Sequence, residues 1–502
     1  MKITAWDKLG AYLKETQILG SIQNSLYWDQ NTSMPRKGSS WRAEQLTYLA
    51  KNLHKRNSSK KFAELIDSAN DEIDNLKINE KNKNNKNNYQ KKNIELLNKE
   101  LERQRKLDPK LVELLARAKS KGYESWYKAK MESNFQIFLP HFKKLIELRI
   151  EEAKQISMEA SPWEILAQPY EPDISKKWLY KMFNPIKEII PNLLDNIKVK
   201  DKKNWDISGS SQKKICADLL DEFGRDNELV AVAESPHPFS ITLGPQDFRI
   251  TTRIVKGEPF SSFLATAHEW GHSIYEQGLP SYSHQWFAWP LGQATSMSVH
   301  ESQSLFWENR IAKSKSFSKR FFNHFVNQGC PLNSYVDLWK EINIFKAGLN
   351  RVEADELSYG IHILIRTELE MALIEGDLDP KDLPYEWNKM YEDLLGIRPS
   401  SDGEGCLQDV HWSEGAFGYF PSYLLGHLIS AQLAHEMEKD IGLIDDLIDL
   451  GKYSEIKNWL KLNVHQYGRS VNAMHLVKEV TKNELSPDYF INYLQAKIAA
   501  LN

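Results

Sequence analysis

The spacing of apolar residues is the feature that most restricts how this chain can fold. Between Ile94 and Ser157, apolar side chains recur at steps of three and four residues and alternate with charged ones. This period is typical of long amphipathic helices that bury one face. Asp108-Pro109 and Pro140 punctuate the run, and both sites suit the first turn of a helix. The pattern predicts a mainly α fold.

One segment departs from the helical pattern. From Glu234 to Val255, two β-prone runs, FSITL and FRITTRIV, flank the turn-forming residues 244–247, which predicts a β-hairpin. Helical periodicity then returns up to the end of the chain. At roughly 150 residues per domain, the 502 residues suggest about three domains. However, no linker rich in Gly, Ser or Pro divides the sequence.

Residues 78–93, INEKNKNNKNNYQKKN, are rich in Asn and Lys and almost free of apolar side chains. Such a composition buries too little surface to offset the entropy of ordering, so we expect a surface loop between two helices. A basic tether for nucleic acid is the alternative. It is less favoured because Tyr89 is the only aromatic residue of the segment that could stack on bases.

The charge balance and the cysteine content exclude several classes of protein. Lys and Arg number 65 against 68 Asp and Glu, a net charge of −3, so no global positive field is present to hold nucleic acid or an anionic membrane. Cys216, Cys330 and Cys406 are too few and too far apart for a disulfide framework or a CxxC site, which favours a reducing compartment. The charged first residues and the lack of a long apolar run predict a cytoplasmic protein without a membrane span.

The pentapeptide His268-Glu269-Trp270-Gly271-His272 is the main candidate for chemistry. In a helix, residues i and i+4 stand one turn apart on the same face, so both imidazoles can reach one metal ion. Apolar neighbours indicate a largely buried helix, and a buried pair of histidines needs partners that a metal can supply. The alternative is a pair of surface histidines beside a solvated glutamate.

A catalytic zinc site takes three protein ligands and keeps one position open. Glu301 lies in a second helical run after His272, and an antiparallel helix could return its carboxylate to the metal, so we expect it to be the third ligand. His300 is a competitor but points about 100° away on a helix, and Glu276 stays on the motif helix. Together with His268, this gives the two-His, one-Glu set of thermolysin-like sites.

This ligand set predicts a hydrolytic reaction. Zinc polarises the carbonyl of the scissile bond and lowers the pKa of a bound water, while Glu269 takes the water proton and passes it to the leaving amine. Co²⁺ or Mn²⁺ could replace Zn²⁺ at such a site.

Several segments, in their order along the chain, resemble the thermostable carboxypeptidase 1 (carboxypeptidase Taq) family of zinc metallocarboxypeptidases over essentially the whole length. Asn350 and Leu305 depart from the isoleucine and arginine that are usual in the family, and they leave the expected metal ligands and Glu269 untouched. The resemblance rests on WDQNTSMPRKGSSWRAEQ (28–45), His237-Pro238-Phe239, Asp247, Arg249 and Thr251 of a DxRxT element, the HExxH motif, HESQ (300–303), RVEAD (351–355), and Gly405, Gln408, Asp409, His411 and Trp412 of GCLQDVHW.

The resemblance implies a helical, two-lobed body with a deep central cleft, similar to the neurolysin and angiotensin-converting-enzyme group, and usually a homodimer. It also implies removal of C-terminal residues from peptides with broad preference, proline being the usual exception. His411 and Tyr423 resemble a His and Tyr pair that lines the opposite cleft wall in the neurolysin group. We expect this pair to stabilise the oxyanion, with Tyr419 as the alternative tyrosine; a tyrosine that only satisfies a core carbonyl is the other interpretation.

An exopeptidase must also bind the free α-carboxylate of its substrate. Arginine does this with two parallel charge-assisted hydrogen bonds, and Arg351 is the first candidate, ahead of Arg249 and Arg253. Each of these arginines could instead form an ordinary ion pair, for example with Glu353 or Asp247.

The hairpin that carries Arg249 could offer an open edge to an extended peptide. This would place His237 and Asp247 along the cleft, although His237 could equally be a packed histidine before a proline turn. Gln408 completes the expected substrate-binding residues.

The motifs from the hairpin to Tyr423 must meet at one metal, so we expect one catalytic domain over residues 1–502 rather than three. Two other functions remain open. An oligopeptidase would cut inside short peptides from the same kind of cleft. A helical binding protein with a structural zinc would need a fourth protein ligand.

Overall fold

Helices make up most of the structure, a computed structural model that describes residues 3–79, 85–197, 203, 205–283 and 285–502. The expected mainly α architecture with a small sheet is therefore confirmed. The helices before the sheet are α1 (Ala5–Thr32), α2 (Ser39–Asn57), α3 (Lys60–Asn79), α4 (Asn85–Arg105), α5 (Pro109–Met131), α6 (Phe135–Ile156), α7 (Pro162–Ala167), α8 (Lys176–Asp195) and α9 (Gly209–Glu222). Those after the sheet are α10 (Pro259–Gly278), α11 (Met297–Leu305), α12 (Lys315–Asn327), α13 (Tyr335–Ile342), α14 (Tyr359–Glu375), α15 (Leu383–Leu395), α16 (Pro421–Ile441), α17 (Ile444–Asp449), α18 (Tyr453–Asn463), α19 (Ala473–Thr481) and α20 (Asp488–Leu501).

The sheet contains the expected hairpin and one strand more. Strands β2 (Ser240–Gly244) and β3 (Asp247–Thr252) pair antiparallel, and β1 (Val230–Glu234) pairs parallel to β3, so β3 lies in the centre. The turn-forming residues between β2 and β3 predict the hairpin from the sequence. A parallel partner has no such turn, and for this reason β1 was not predicted.

Two large clusters of buried apolar side chains hold the helices together. The main one draws on residues from Trp126 to Leu494 and includes the fully buried Trp163, Trp270 and Trp307. A second cluster joins α1, α3 and α4, and Trp289 packs into it. The elements that carry the candidate site, α10, α11 and α16, lie in the main cluster, which gives their side chains a rigid support.

The prediction of a surface loop over residues 78–93 is wrong for most of its length. Helix α3 continues to Asn79 and α4 begins at Asn85; residues 80–84 lie outside the described part. Helix α4 is anchored by Ile94, Leu97 and Leu101, which are buried in the second cluster. Because an anchored helix extends cheaply once it is nucleated, the polar segment before Ile94 is helical as well.

The prediction for Pro140 is also wrong, while that for Pro109 is confirmed. Pro109 is the first residue of α5, capped by Asp108, whose side chain accepts a hydrogen bond from the Lys110 N–H. Helix α6 instead begins at Phe135, so Pro140 lies inside it. Solvent can satisfy the carbonyl that loses its partner there, because Pro140 is on an exposed face.

Two expectations about the cysteines and the membrane can be compared with the structure. All three cysteines are buried and free, so no disulfide links them. Within the described residues, no helix is both long and apolar enough to cross a membrane.

The helical assignment of the Asn-rich segment gives a first testable prediction. Asn93 is fully buried, and its Oδ1 accepts a hydrogen bond from the Leu291 N–H at 3.0 Å. Asn93→Ala would leave that buried N–H without a partner, and we expect a loss of about 1–3 kcal/mol in the free energy of unfolding. Denaturant unfolding measures it. Asn88→Ala, at an exposed site of the same helix, is the control, and equal stability of the two variants would contradict the structure.

Candidate metal centre and active site

Helix α10 presents His268 and His272 on one face, one turn apart. Much of the rest of the helix is buried, and it is tied to the sheet by a hydrogen bond between the hydroxyls of Thr266 and Thr252 at 2.9 Å. With its opposite face buried against the core, the helix cannot rotate easily. The two imidazoles are therefore held towards the same space.

Helix α11 returns Glu301 to these histidines, as the sequence predicts. The Glu301 Oε2 lies 3.8 Å from His268 Nε2 and 3.6 Å from His272 Nε2. The three side chains offer ligand atoms within 4.8 Å of one another, and no fourth His, Cys, Asp or Glu of the described residues joins the group. Two imidazole nitrogens and one carboxylate oxygen are a donor set that suits Zn²⁺ and related divalent ions.

Two glycines allow the helices to come this close. A Cβ on Gly271 would lie 2.5 Å from the Gln303 carbonyl oxygen of α11, and a Cβ on Gly426 of α16 would lie 2.8 Å from Glu301 Cγ. Neither position has room for a side chain. Gly271 therefore lets α10 lie against the α11 backbone just after Glu301, and Gly426 lets α16 lie against Glu301 itself.

The far sides of both histidine rings are hydrogen-bonded. His268 Nδ1 lies 2.9 Å from Glu308 Oε2, and Glu308 Oε1 accepts from Lys313 Nζ at 2.7 Å. Such a carboxylate fixes the ring and its tautomer. Burial disfavours a charged His268, yet Glu301 and Glu308 raise its pKa to about 9, so the space in front of the ring favours a positive charge.

The second ring is held by the two side chains that competed with Glu301 in the sequence. His300 Nδ1 lies 2.6 Å from His272 Nδ1, and His300 Nε2 lies 2.9 Å from Glu276 Oε1. Glu276 also accepts a hydrogen bond from the Thr242 hydroxyl of β2 at 3.2 Å. His300 and Glu276 therefore lie behind His272, outside the ligand triad.

Glu269 differs from the neighbouring acids because one of its carboxylate oxygens lacks a hydrogen-bond partner among the described residues. It is buried, and its Oε2 accepts no hydrogen bond within the described residues. Burial, with a further contribution from Glu301, raises the pKa of Glu269 to about 7. An unpartnered carboxylate beside a ligand triad is available to accept a proton near neutral pH.

A second wall brings together His411, Tyr419 and Tyr423. The Tyr423 hydroxyl lies 3.5 Å from His411 Nε2, and the His411 ring contacts Tyr419 at 5.2 Å between centroids. Burial lowers the pKa of His411 to about 4, so the imidazole is neutral at pH 7. Burial raises the pKa of Tyr423. Tyr423 lies on α16 three residues before Gly426, which contacts Glu301, so this wall adjoins the triad.

Arg351 lies in this wall and forms an ion pair. The partner is Asp409, whose Oδ1 is 2.9 Å from Nε and 2.8 Å from Nη2. Asp409 also binds Arg366 Nε at 2.6 Å. The Gln408 Oε1 accepts from the Arg351 N–H at 3.3 Å. Arg366 was missed because it lies in an apolar helical run without a recognisable motif.

The sheet carries the remaining expected residues. Asp247 binds Arg249 through two hydrogen bonds of 2.9 Å each, which is the ordinary ion pair named above as the alternative. The guanidinium lies 5.6 Å from the Trp28 ring centroid. His237 is exposed, so it is not packed in the core. No hydrogen bond or ion pair joins these residues to Arg351 in the described part of the chain.

Known proteins match this chain over almost its whole length. The family described as Carboxypeptidase Taq (M32) metallopeptidase matches residues 8–498. The chain belongs to this family. Among M32 relatives, Carboxypeptidase 1 of Bacillus subtilis (strain 168) is 34% identical over 486 residues, covering 95% of this chain and 94% of the relative. Thermostable carboxypeptidase 1 of Thermus thermophilus is 33% identical over 520 residues and 99% of both chains.

Solved structures agree with this assignment. Pyrococcus furiosus carboxypeptidase, described as apo-Mg, gives a TM-score of 0.91 at 28% identity, covering 99% of each chain. Trypanosoma cruzi metallocarboxypeptidase 1 gives 0.90 at 29% identity, covering 98% of this chain and 99% of the other. This M32 protein is accordingly a metallocarboxypeptidase. The family implies a divalent metal, and His268, His272 and Glu301 fit one.

The contact between α16 and Glu301 leads to a second prediction, for this M32 carboxypeptidase. Gly426→Ala would push its Cβ into the Glu301 side chain, and we expect Zn²⁺ affinity to fall about 10–100-fold, as when a neighbour of a metal ligand is changed. Competition with a chelator measures it. Gly20→Ala, where a Cβ in α1 meets nothing within 4 Å, is the control. Equal Zn²⁺ affinity in the two variants would contradict the geometry.

Proposed function

We propose that this protein is a zinc-dependent carboxypeptidase that removes C-terminal residues from peptides with broad preference. The observation that carries the proposal is the convergence of His268, His272 and Glu301 beside Glu269, whose buried Oε2 lacks a partner among the described residues. His268, His272 and Glu301 would hold the ion. When bound, the ion would supply Lewis acidity towards the peptide carbonyl and make water more acidic. Co²⁺ or Mn²⁺ could substitute for it.

Glu269 is proposed as the general base and acid. Its pKa, raised by burial to about 7, suits a group that takes a proton from the attacking water and returns it to the leaving amine. Glu301 and Glu308, the two acids that add to this rise, are already engaged, because Glu301 faces both histidines and Glu308 is bound to Lys313.

His411 and Tyr423 are proposed to stabilise the oxyanion. A neutral imidazole keeps one N–H donor and the tyrosine hydroxyl is another. The two groups lie 3.5 Å apart, and Tyr423 shares α16 with Gly426, which contacts Glu301. Tyr419, whose ring lies 5.3 Å from that of Tyr423, is the alternative tyrosine. Donors held by a packed wall need little reorganisation during the reaction.

Arg351 is proposed as the anchor for the substrate carboxylate. A guanidinium has five N–H groups; Nε and Nη2 donate to Asp409, and Nη1 donates to the Tyr359 hydroxyl. Within the described residues, no acceptor takes the second hydrogens on Nη1 and Nη2. Asp409 therefore orients Arg351 without using all its donors. Arg249 is the second candidate, and Gln408, Asp247 and His237 complete the proposed substrate-binding residues.

A pair of matched peptides tests the proposal against an oligopeptidase. One peptide carries a free C-terminus and the other a C-terminal amide, and mass spectrometry follows the products. We expect stepwise shortening of the free acid and a fall in kcat/KM of at least about tenfold for the amide, because charge-assisted hydrogen bonds contribute about 1.5–3 kcal/mol each. Equal internal cleavage of both peptides would favour the oligopeptidase.

The role of Glu269 gives a separate prediction. Glu269→Gln should lower kcat by about 10² to 10⁴ while bound metal, measured by elemental analysis, is unchanged, since Glu269 is not a member of the ligand triad. Glu258→Gln, an exposed glutamate at the start of the same helix, is the control. An unchanged kcat in Glu269→Gln would contradict this role, whereas a protein that binds peptides and metal without any turnover would favour a binding protein with a structural zinc.

Three further expectations stay predictions from the sequence: a single catalytic domain over residues 1–502, a homodimer and a cytoplasmic location. The proposed substrates are peptides with a free C-terminus, with no role for nucleic acid or a membrane surface. Sedimentation of the purified protein would determine the oligomeric state.

A further inference from the structure

A buried carboxylate outside the ligand triad connects the two helices that carry the site. Glu171 follows α7 and is 3% exposed. Its Oε1 accepts hydrogen bonds from the Ser298 N–H at 2.6 Å and the Ser422 hydroxyl at 2.7 Å, and its Oε2 accepts from the Ser298 hydroxyl at 2.7 Å. No cation pairs with Glu171 in the described part of the chain. Three short hydrogen bonds from two serines replace an ion pair.

The two serines occupy equivalent places. Ser298 lies in the first turn of α11, and Ser422 lies in the first turn of α16. A negative charge is favourable at the N-terminus of a helix, where N–H groups lack partners within the helix. One carboxylate thus joins the beginnings of two helices that lie far apart in the sequence.

One turn further along, the same helices make the contact that encloses Glu301. Glu301 follows Ser298 by three residues and Gly426 follows Ser422 by four, and the backbone of Gly426 lies against the Glu301 side chain. Tyr423 is adjacent to Ser422. A shift of α11 along α16 would therefore move Glu301 and Tyr423 relative to each other.

The residue before Glu171 strengthens this junction. The Tyr170 carbonyl accepts a hydrogen bond from the Met297 N–H at 3.1 Å, and the Tyr170 ring meets Tyr419 edge-on, with centroids 5.0 Å apart. The segment Tyr170-Glu171 consequently contacts both the start of α11 and Tyr419, which lies in the wall beside His411 and Tyr423.

We propose that Glu171 is a positioning residue that fixes α11 against α16, and so sets the place of the Glu301 carboxylate and the Tyr423 hydroxyl. The inference rests on the proposed role of Glu301 as a metal ligand. Glu171 does not touch the reacting atoms. Its effect should appear in metal binding as well as in turnover, because one junction supports both side chains.

The test compares Glu171→Ala with Gln432→Ala. Gln432 is a suitable control because it is buried in the same helix α16 and also makes three hydrogen bonds, to Thr481, Glu484 and Ser486, beyond Gly426 along the helix. Each protein is loaded with Co²⁺, its affinity is measured by competition with a chelator, and its absorption spectrum reports the ligand geometry. Thermal unfolding establishes that both are folded at the assay temperature.

We expect Glu171→Ala to bind Co²⁺ about 10–100-fold more weakly, with a changed spectrum and a lower kcat, while Gln432→Ala matches the unchanged protein in all three. Glu171→Gln should restore binding, since its amide oxygen can accept from the Ser298 N–H and the Ser422 hydroxyl and its NH₂ can donate to the Ser298 hydroxyl. Unchanged Co²⁺ affinity and spectrum in folded Glu171→Ala would overturn the proposal.

If Glu171→Ala does not fold, Ser422→Ala takes its place, because it releases only α16 from the junction. Its Co²⁺ affinity should fall about tenfold, the lower end of that range, and affinity equal to that of Gln432→Ala would overturn the proposal. Failure of the proposed function is distinguishable: the unchanged protein would then not shorten peptides, whatever the variants do.

Discussion

Close contact between helix backbones is the constraint on which the site depends. Two imidazoles on α10 and a carboxylate on α11 can face one ion only if the helices pack more tightly than ordinary side chains permit. Gly271 provides that contact between α10 and α11 at Gln303, and Gly426 provides it between α16 and Glu301. Packing of this kind gives short distances without strained dihedrals, and the surrounding aromatic core makes it costly to loosen.

Buried carboxylates recur around this contact, and each is stabilised in a different way. Glu171 accepts hydrogen bonds from two serines, and Glu370 accepts from the indoles of Trp163 and Trp412 and from a backbone N–H. Asp409 instead lies between two arginines. A buried carboxylate without partners would be strongly destabilising. Because each has several donors, these acids tie distant segments of the chain to the walls of the site.

Much of the architecture could be predicted from periodicity and spacing, because helical period and the i, i+4 relation are local. The HExxH helix, Glu301 and the hairpin were found in this way. The position of Glu308 near the site could have been predicted in the same way, since it follows Glu301 by seven residues, about two helical turns. Contacts such as Arg351 with Asp409, or Glu171 with Ser298, could not be predicted, because nothing in the local sequence fixes which distant segments meet. The loop predicted for the Asn-rich segment was wrong for a related reason. Ile94, Leu97 and Leu101 are anchored in a cluster that includes Trp289, far along the chain.

The charge around Arg351 bears on the choice between a free C-terminus and an internal peptide bond. Two buried guanidinium groups share one carboxylate, and the adjoining His411 is neutral because burial lowers its pKa to about 4. The cluster of Arg351, Arg366 and Asp409 therefore carries a formal net charge of +1. A chain with a net charge of −3 cannot attract the carboxyl end of a peptide by its overall field, but a desolvated cation acts strongly at short range. This local charge supports the proposed choice of a free C-terminus over an internal peptide bond.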